Sequence, residues 1–173
     1  MESPLQIQFT PEKNDYVRAS RVLANKTPAF IVLAAVTILL MVGALVVLLV
    51  PSIGDSTWKN VAIISLVIGV FYLVYYFLLI PSQLGRSFKS NELLQKERVL
   101  VFDEAGLKMT VADRQSEMAW ENFEKLMDGG SLYLMIYKAN DRLYPFVPKR
   151  AFDAPGSEEA FRQLFSDHDI SIK

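Results

Sequence analysis

Two stretches of this chain carry no charged side chain, and they constrain its class before any other feature does. Ala29 to Val50 reads AFIVLAAVTILLMVGALVVLLV, with Thr37 its one clearly polar side chain, and Val61 to Ile80 reads VAIISLVIGVFYLVYYFLLI. As helices rising about 1.5 Å per residue, each covers roughly the 30 Å of a hydrocarbon core. Two such runs within 173 residues predict a pair of membrane spans and argue against buried core helices. The 51% hydrophobic composition is concentrated in these blocks, which leaves one modest domain outside them. Residues 1–28, with Glu2, Glu12 and Asp15, precede the first run, and no small-residue cleavage site follows it. That pattern predicts a retained span and not a removed leader.

The connection PSIGDSTWKN, Pro51 to Asn60, is short enough to force an antiparallel hairpin, with Trp58 at an interface. Tyr72, Tyr75 and Tyr76, spaced i, i+3, i+4, either form an aromatic belt at the far end or pack against the first span. Ser65 with Gly69, and Gly43 on the first span, are expected points of close helix approach. Arg18, Arg21 and Lys26 precede the first span; Arg86, Lys89, Lys96 and Arg98 follow the second; the connecting loop holds only Lys59. Positive charge concentrates on the cytoplasmic side, so both termini are expected there.

The remaining chain divides by periodicity. Leu5 to Phe9 (LQIQF) alternates as a half-buried strand. A strand of that length is not stable alone, so it should join the edge of a sheet built by residues 98–147. A helix from about Pro11 to Asn25 follows, with Thr10 as a candidate cap and Glu12 at its positive end. Residues 81–97 read as a linker helix carrying Arg86 and Lys89. From Arg98 the period becomes 2. RVLVF, LKMTV, SEMAW, NFEKLM, SLYLMIYK and RLYPFV predict six strands of a meandering antiparallel sheet, with turns at DEAG, ADRQ, Asp128-Gly129-Gly130 and Asn140-Asp141. A last helix, Ser157 to Asp167, should be capped by Ser157 and present Phe161, Leu164, Phe165 and His168 on one side, as a plug. The domain boundaries are then 1–27, 28–80 (spans 29–50 and 61–80), 81–97 and 98–173.

VLVFDEAGLKM at 99–109, EMAWENFEKL around Trp120, YLMIY at 133–137 and FVPKRAF at 146–152 resemble the YcxB-like family of bacterial membrane proteins. The resemblance implies an α+β membrane protein: a two-span transmembrane helical hairpin with a cytoplasmic pleckstrin-homology-like (PH-like) antiparallel β-roll capped by a C-terminal helix. It implies no activity.

The chemistry legible in the residues is sparse. Cysteine is absent, so disulfides and thiolate metal sites are excluded, and with His168 the single histidine neither a histidine-rich metal site nor a Ser-His-Asp centre is expected. No phosphate-binding glycine loop or metalloprotease motif occurs, and a net charge of −1 gives no basic field for nucleic acid. Catalytic, cofactor-binding and metal-ligating residues are therefore expected to be none. In FVPKRAF, strand-ending prolines and inward phenylalanines explain the stretch, but nothing in the sequence requires Lys149 and Arg150 to be basic. They are either a solvated turn or, with Arg142, Arg86 and Lys89, a contact for lipid phosphate or an acidic partner. The expected function is a non-enzymatic scaffold or regulatory membrane protein whose partners are membrane lipids and a protein. Alternatives are an immunity protein neutralising a cognate toxin, and an anionic-lipid-binding module.

Overall fold

The computed structural model describes residues 4–26, 28–50, 52–138 and 145–173, the side chains of 25 and 26 aside. Two compact units emerge. One is Ser20–Arg86. The other joins the chain up to Ala19 with Ser87–Lys173, so the helical unit is inserted within the sheet-bearing one.

In the inserted unit, α2 (Pro28–Leu49) and α3 (Ser56–Val74) are the two long apolar helices, and they pack against each other. Ala44 and Ala62 are buried, and a Cβ added at Gly69 would run into Met41. Gly69 is thus a close-approach point as its spacing suggested, whereas a Cβ at Gly43 would meet nothing within 4 Å. The Tyr76 ring lies 4.9 Å from Phe30, so this tyrosine packs on the first long helix. The outward surfaces are apolar and open: Leu39 is 71% exposed and Phe71 66%.

The second helix departs from expectation at both ends. It begins at Ser56 and not near Val61, because the Asp55 carboxylate accepts from the Thr57 and Trp58 amides at 3.0 and 3.1 Å. That satisfies donors a helix start leaves unpaired. Nor does it stop at Pro81, since α4 (Ile80–Ser90) continues it. Proline removes an amide and its ring collides with the carbonyl four residues back. A wider π turn at Tyr75–Leu79 precedes it, with the Ile80 amide bonded to the Tyr75 carbonyl, five residues back. Such a turn makes room for the ring without ending the helix. The expected linker helix is therefore the end of this long helix plus the short α5 (Glu92–Gln95), capped by Asn91.

Among the described residues, the other unit holds eight strands in two sheets, not one meander. β1 (Leu5–Phe9), β2 (Arg98–Asp103), β3 (Gly106–Val111) and β4 (Arg114–Ala119) form the first in that order. β1 is antiparallel to β2 with Ile7 opposite Leu100, as its alternation anticipated, and Ile7 and Phe9 are buried. The β2–β3 turn requires Gly106, whose φ is +144° and whose added Cβ would strike the Met118 carbonyl oxygen. The chain crosses between sheets through a 3-10 turn at Trp120–Asn122. β5 (Phe123–Asp128), β6 (Leu132–Tyr137) and β7 (Phe146–Pro148) build the second sheet. β7 is shorter than the expected RLYPFV strand; Arg142, Leu143, Tyr144 and the Asn140–Asp141 turn lie outside the described residues.

α6 (Ser157–Asp167) closes the core. Phe161 and Phe165 are fully buried, with ring centroids 5.3 Å (Phe161–Phe102), 5.4 Å (Phe161–Tyr133) and 5.3 Å (Phe165–Trp120). Its cap is Gly156 at φ +82°, not Ser157, whose hydroxyl donates to the Ala154 carbonyl at 2.7 Å. Beyond α6, Asp169 turns through a left-handed conformation (φ +57°) and β8 (Ser171–Ile172) pairs parallel with β5, a strand no periodicity announced.

Trp120 joins the two sheets physically. Its indole Nε1 donates to the Asp103 carbonyl at 2.9 Å, and His168 stacks on it at 4.3 Å between ring centroids. Replacing Trp120 with Ala leaves a cavity among Phe102, Phe123 and Phe165 and should cost about 3–5 kcal/mol. Circular dichroism during chemical denaturation in detergent would read this loss; a change below about 1 kcal/mol would contradict the burial.

Candidate functional site

The corner after β7 is where the second sheet meets the N-terminal segment. Pro148 ends the strand, and Lys149–Ala151 make one 3-10 turn, closed by the Phe152 amide on the Lys149 carbonyl at 3.2 Å. Phe152 packs on Phe161 at 5.2 Å, so the turn is pinned from inside. This fixes where its two cations point.

Arg150 faces Asp15. Its two terminal nitrogens donate to the two carboxylate oxygens at 2.6 and 2.7 Å, a bidentate pair. Arg150 Nη2 also donates to the Thr10 carbonyl at 3.2 Å and lies 3.2 Å from Glu12. Asp15 is a buried charged residue, 7% exposed, and its carboxylate also accepts the Glu12 amide at 2.8 Å. That second bond caps α1 (Lys13–Lys26), which therefore begins after Glu12 and not at Pro11. Arg18, one turn on, donates to the Ser131 hydroxyl at 2.8 Å. The Asp15 hydrogen bond, reinforced by the Asp15 and Glu12 charges, raises the Arg150 pKa although burial opposes it.

Lys149 faces the other way. Its ammonium lies 3.0 Å from Asp128, 3.3 Å from Glu158 and 4.6 Å from the centre of the Tyr133 ring. Tyr133 donates its hydroxyl proton to Glu158 at 2.6 Å, and Arg162 donates to the same hydroxyl at 3.4 Å. Burial works against the Lys149 charge, but hydrogen bonds with Asp128, Tyr133 and Glu158 outweigh it and raise its pKa. Glu158 is lowered first by the Tyr133 hydrogen bond and then by Lys149. Asp128 is lowered too, because Lys149 and the Gly130 amide overcome its desolvation.

The structure thus supplies the reason, missing from the sequence, for both residues to be basic. They are neither an idle solvated turn nor two free cations, and a lipid phosphate would have to displace existing carboxylates. Arg86 and Lys89 are exposed on α4 and make no ion pair among the described residues. Arg142 lies outside those residues. The partners Asp15, Asp128, Glu158 and Tyr133 were not singled out, and no local signal could have done so, since Arg150 and Asp15 are 135 positions apart. Beside this cluster, Glu158, Glu159, Arg162, Gln163, Ser166 and Ile172 line a shallow groove of about 450 Å³ along α6. The described residues contain no group of His, Cys, Asp and Glu suited to a metal ion.

Two outcomes follow. Arg150→Ala leaves the Asp15 carboxylate buried without its cation, and should cost about 1–3 kcal/mol, less than a fully buried pair because Arg150 is partly exposed. Asp15→Asn should suppress much of that loss in a double-mutant cycle by denaturation; strict additivity would show the pair to be inert. The second concerns acid. Asp128 and Glu158 titrate lower when folded than their ordinary values of roughly 3.9 and 4.3. Their contribution is present above those values and is lost as pH falls through the lowered ones. Lys149 has the opposite sign: its contribution is present below roughly 10.4 and lost as pH rises through its raised value. An Asp128→Asn, Glu158→Gln chain should therefore lose less stability than wild type between about pH 5 and 2. Equal slopes in that window would contradict the network.

Residues 102–165 match a family model described as YcxB-like protein. No curated protein and no solved structure matches the chain.

Proposed function

We propose that this chain, with its YcxB-like domain, is a two-span integral protein of a bacterial inner membrane that presents a non-enzymatic interaction domain to the cytoplasm. The observation that carries the reading is the outward surface of α2 and α3. It is apolar along two helices long enough to cross a membrane, and only 6% of each spanning window is buried. Exposing that much apolar surface to water is unfavourable, whereas a bilayer satisfies it. Lys/Arg before α2 and after α3 support cytoplasmic termini. Two sheets followed by a helix across their core support a PH-like roll. Exposed Arg86 and Lys89 would then meet anionic headgroups at the membrane surface. The interaction reading draws support from the polar clusters. Their acids and bases are spent on one another in ion pairs, which suits a recognition scaffold better than proton transfer at an open cleft.

Native cysteine is absent, so single labels report topology cleanly. With an impermeant thiol reagent on intact bacterial cells, Ser56→Cys should react and Ser116→Cys should not, while both react after lysis. Both side chains lie at exposed positions. Labelling at 116 in intact cells would reverse the proposed orientation. Recovery of the chain in the soluble fraction would end the membrane reading.

A further inference from the structure

The ladder of the first sheet brings two arginines into one row. Phe9 lies opposite Arg98, Arg98 opposite Val111, and Val111 opposite Arg114. Residues directly opposite in a ladder share a face. Leu100 and Phe102, in step with Arg98 along β2, are buried, so this face points inward. The Arg98 guanidinium accordingly reaches the second sheet, its central carbon 5.2 Å from the centre of the Phe146 ring. Arg98 is half-buried, and its Nε is enclosed with no hydrogen-bond partner. Burial lowers its pKa. An arginine keeps its proton even so, and the charge remains uncompensated. Arg114 is exposed on the outer strand, and neither arginine makes an ion pair among the described residues. Lys108, Lys125, Lys149 and Arg150, by contrast, each have a carboxylate oxygen at 3.0 Å or closer.

A charge taken out of water without a counter-charge is costly, and a second cation on the same face adds repulsion. We propose that Arg98 and Arg114 form a binding site for a phosphomonoester group, carried by a small soluble molecule or by a lipid headgroup. Neighbouring strands lie about 4.8 Å apart, so the two backbones stand roughly 10 Å apart across β3, a span that two arginine side chains can close on one group. Each guanidinium presents a planar fork of donors matched to an oxyanion. Phe146 holds Arg98 by its ring face, which uses none of those donors. The charge count selects the ligand. A phosphomonoester carries about −1.5 to −2 near neutral pH and offsets both cations. A carboxylate or a phosphodiester carries a single charge and leaves one guanidinium uncompensated. No acid in the row opposes the group, since its other members are Phe9 and Val111. The adjoining row, Ile7, Leu100, Met109 and Ser116, adds only a hydroxyl. The site is separate from the corner at Lys149 and Arg150, whose cations are already matched, and it does not depend on the interaction reading given above.

The probe is methyl phosphate, a monoester, titrated calorimetrically into the full chain in nonionic detergent at low salt and neutral pH, with the diester dimethyl phosphate as control. Methyl phosphate should bind and raise Tm, and dimethyl phosphate should bind at least about tenfold more weakly. Arg114→Gln, at an exposed position, should weaken methyl phosphate by at least about tenfold. Arg98→Met should abolish binding, while its Tm without ligand equals or exceeds that of wild type, because an unpaired charge leaves the interior. Arg86→Gln and Lys89→Gln should bind as wild type does. Phosphatidylcholine nanodiscs separate the two sources, with phosphatidic acid in one set and phosphatidylglycerol at matched charge in the other. Loss of methyl phosphate binding only with phosphatidic acid assigns the group to a lipid headgroup; binding retained in both sets assigns it to a soluble ester; loss in both overturns the proposal. Equal affinity for the two esters, unchanged affinity in Arg114→Gln, or no binding at millimolar methyl phosphate also overturns it. So does a lower Tm in Arg98→Met with binding intact, which would make Arg98 structural. Where Arg98→Met fails to fold, Arg114→Gln decides.

Discussion

The pairing of β1 with β2 is the constraint on which the architecture depends. β1 lies before the helical insertion and β2 after it, so the first sheet cannot form until the chain has left the sheet unit and returned. An isolated five-residue strand has no stability of its own. Here Ile7 sits opposite Leu100, and the Phe9 ring lies 6.1 Å from Phe146 of the other sheet. The N-terminal strand therefore belongs to both halves of the core. Closing so long a loop is less costly than it looks, because the entropic penalty grows only with the logarithm of loop length. The insertion is also not a flexible loop but two helices joined by a short turn.

That closure is reinforced by charge. Asp15 on α1 would be a costly buried carboxylate if it stood alone, and Arg150 from the far end of the chain satisfies both its oxygens. Arg18 adds a hydrogen bond to Ser131 in the β5–β6 turn. On the other side of the same corner, Lys149 ties that turn, through Asp128, to the start of α6, through Glu158. One 3-10 turn thus holds the N-terminal helix with one cation and the C-terminal helix with the next. A corner that resembles a basic recognition motif when read as FVPKRAF is the mechanical junction of the domain.

Periodicity made much of this legible. The two apolar helices, seven of the eight described strands, the terminal helix and the edge position of Leu5–Phe9 all follow from spacing that repeats within a few residues. What escaped was of two kinds. Local chemistry misled where one residue has two readings. Pro81 reads as a helix stop, yet a π turn absorbs it; Ser157 reads as a cap, yet Gly156 supplies the left-handed turn. Long-range chemistry left no trace at all. Nothing near Asp15 points to Arg150, and the division of one expected meander into two sheets is made by the Trp120 turn, whose neighbours look like continuous strand. β8 is too short to show any period.

The four outer strands of the two sheets differ in how they are guarded, and the difference bears on which surface can receive another chain. An open edge invites pairing unless something blunts it. β4 carries Arg114 and Glu117, both exposed, and charge on an edge discourages accretion. β7 is three residues long and bounded by Pro145 and Pro148, neither of which can donate to a ladder. β1 lies between Pro4 and Pro11 and is held by α1 and its ion pair. These guards are covalent features of the strands or are locked into the core. β8 closes the outer edge of β5, whose other side pairs with β6 apart from a bulge between Phe123 and Lys125, so both sides of β5 are held within the sheet.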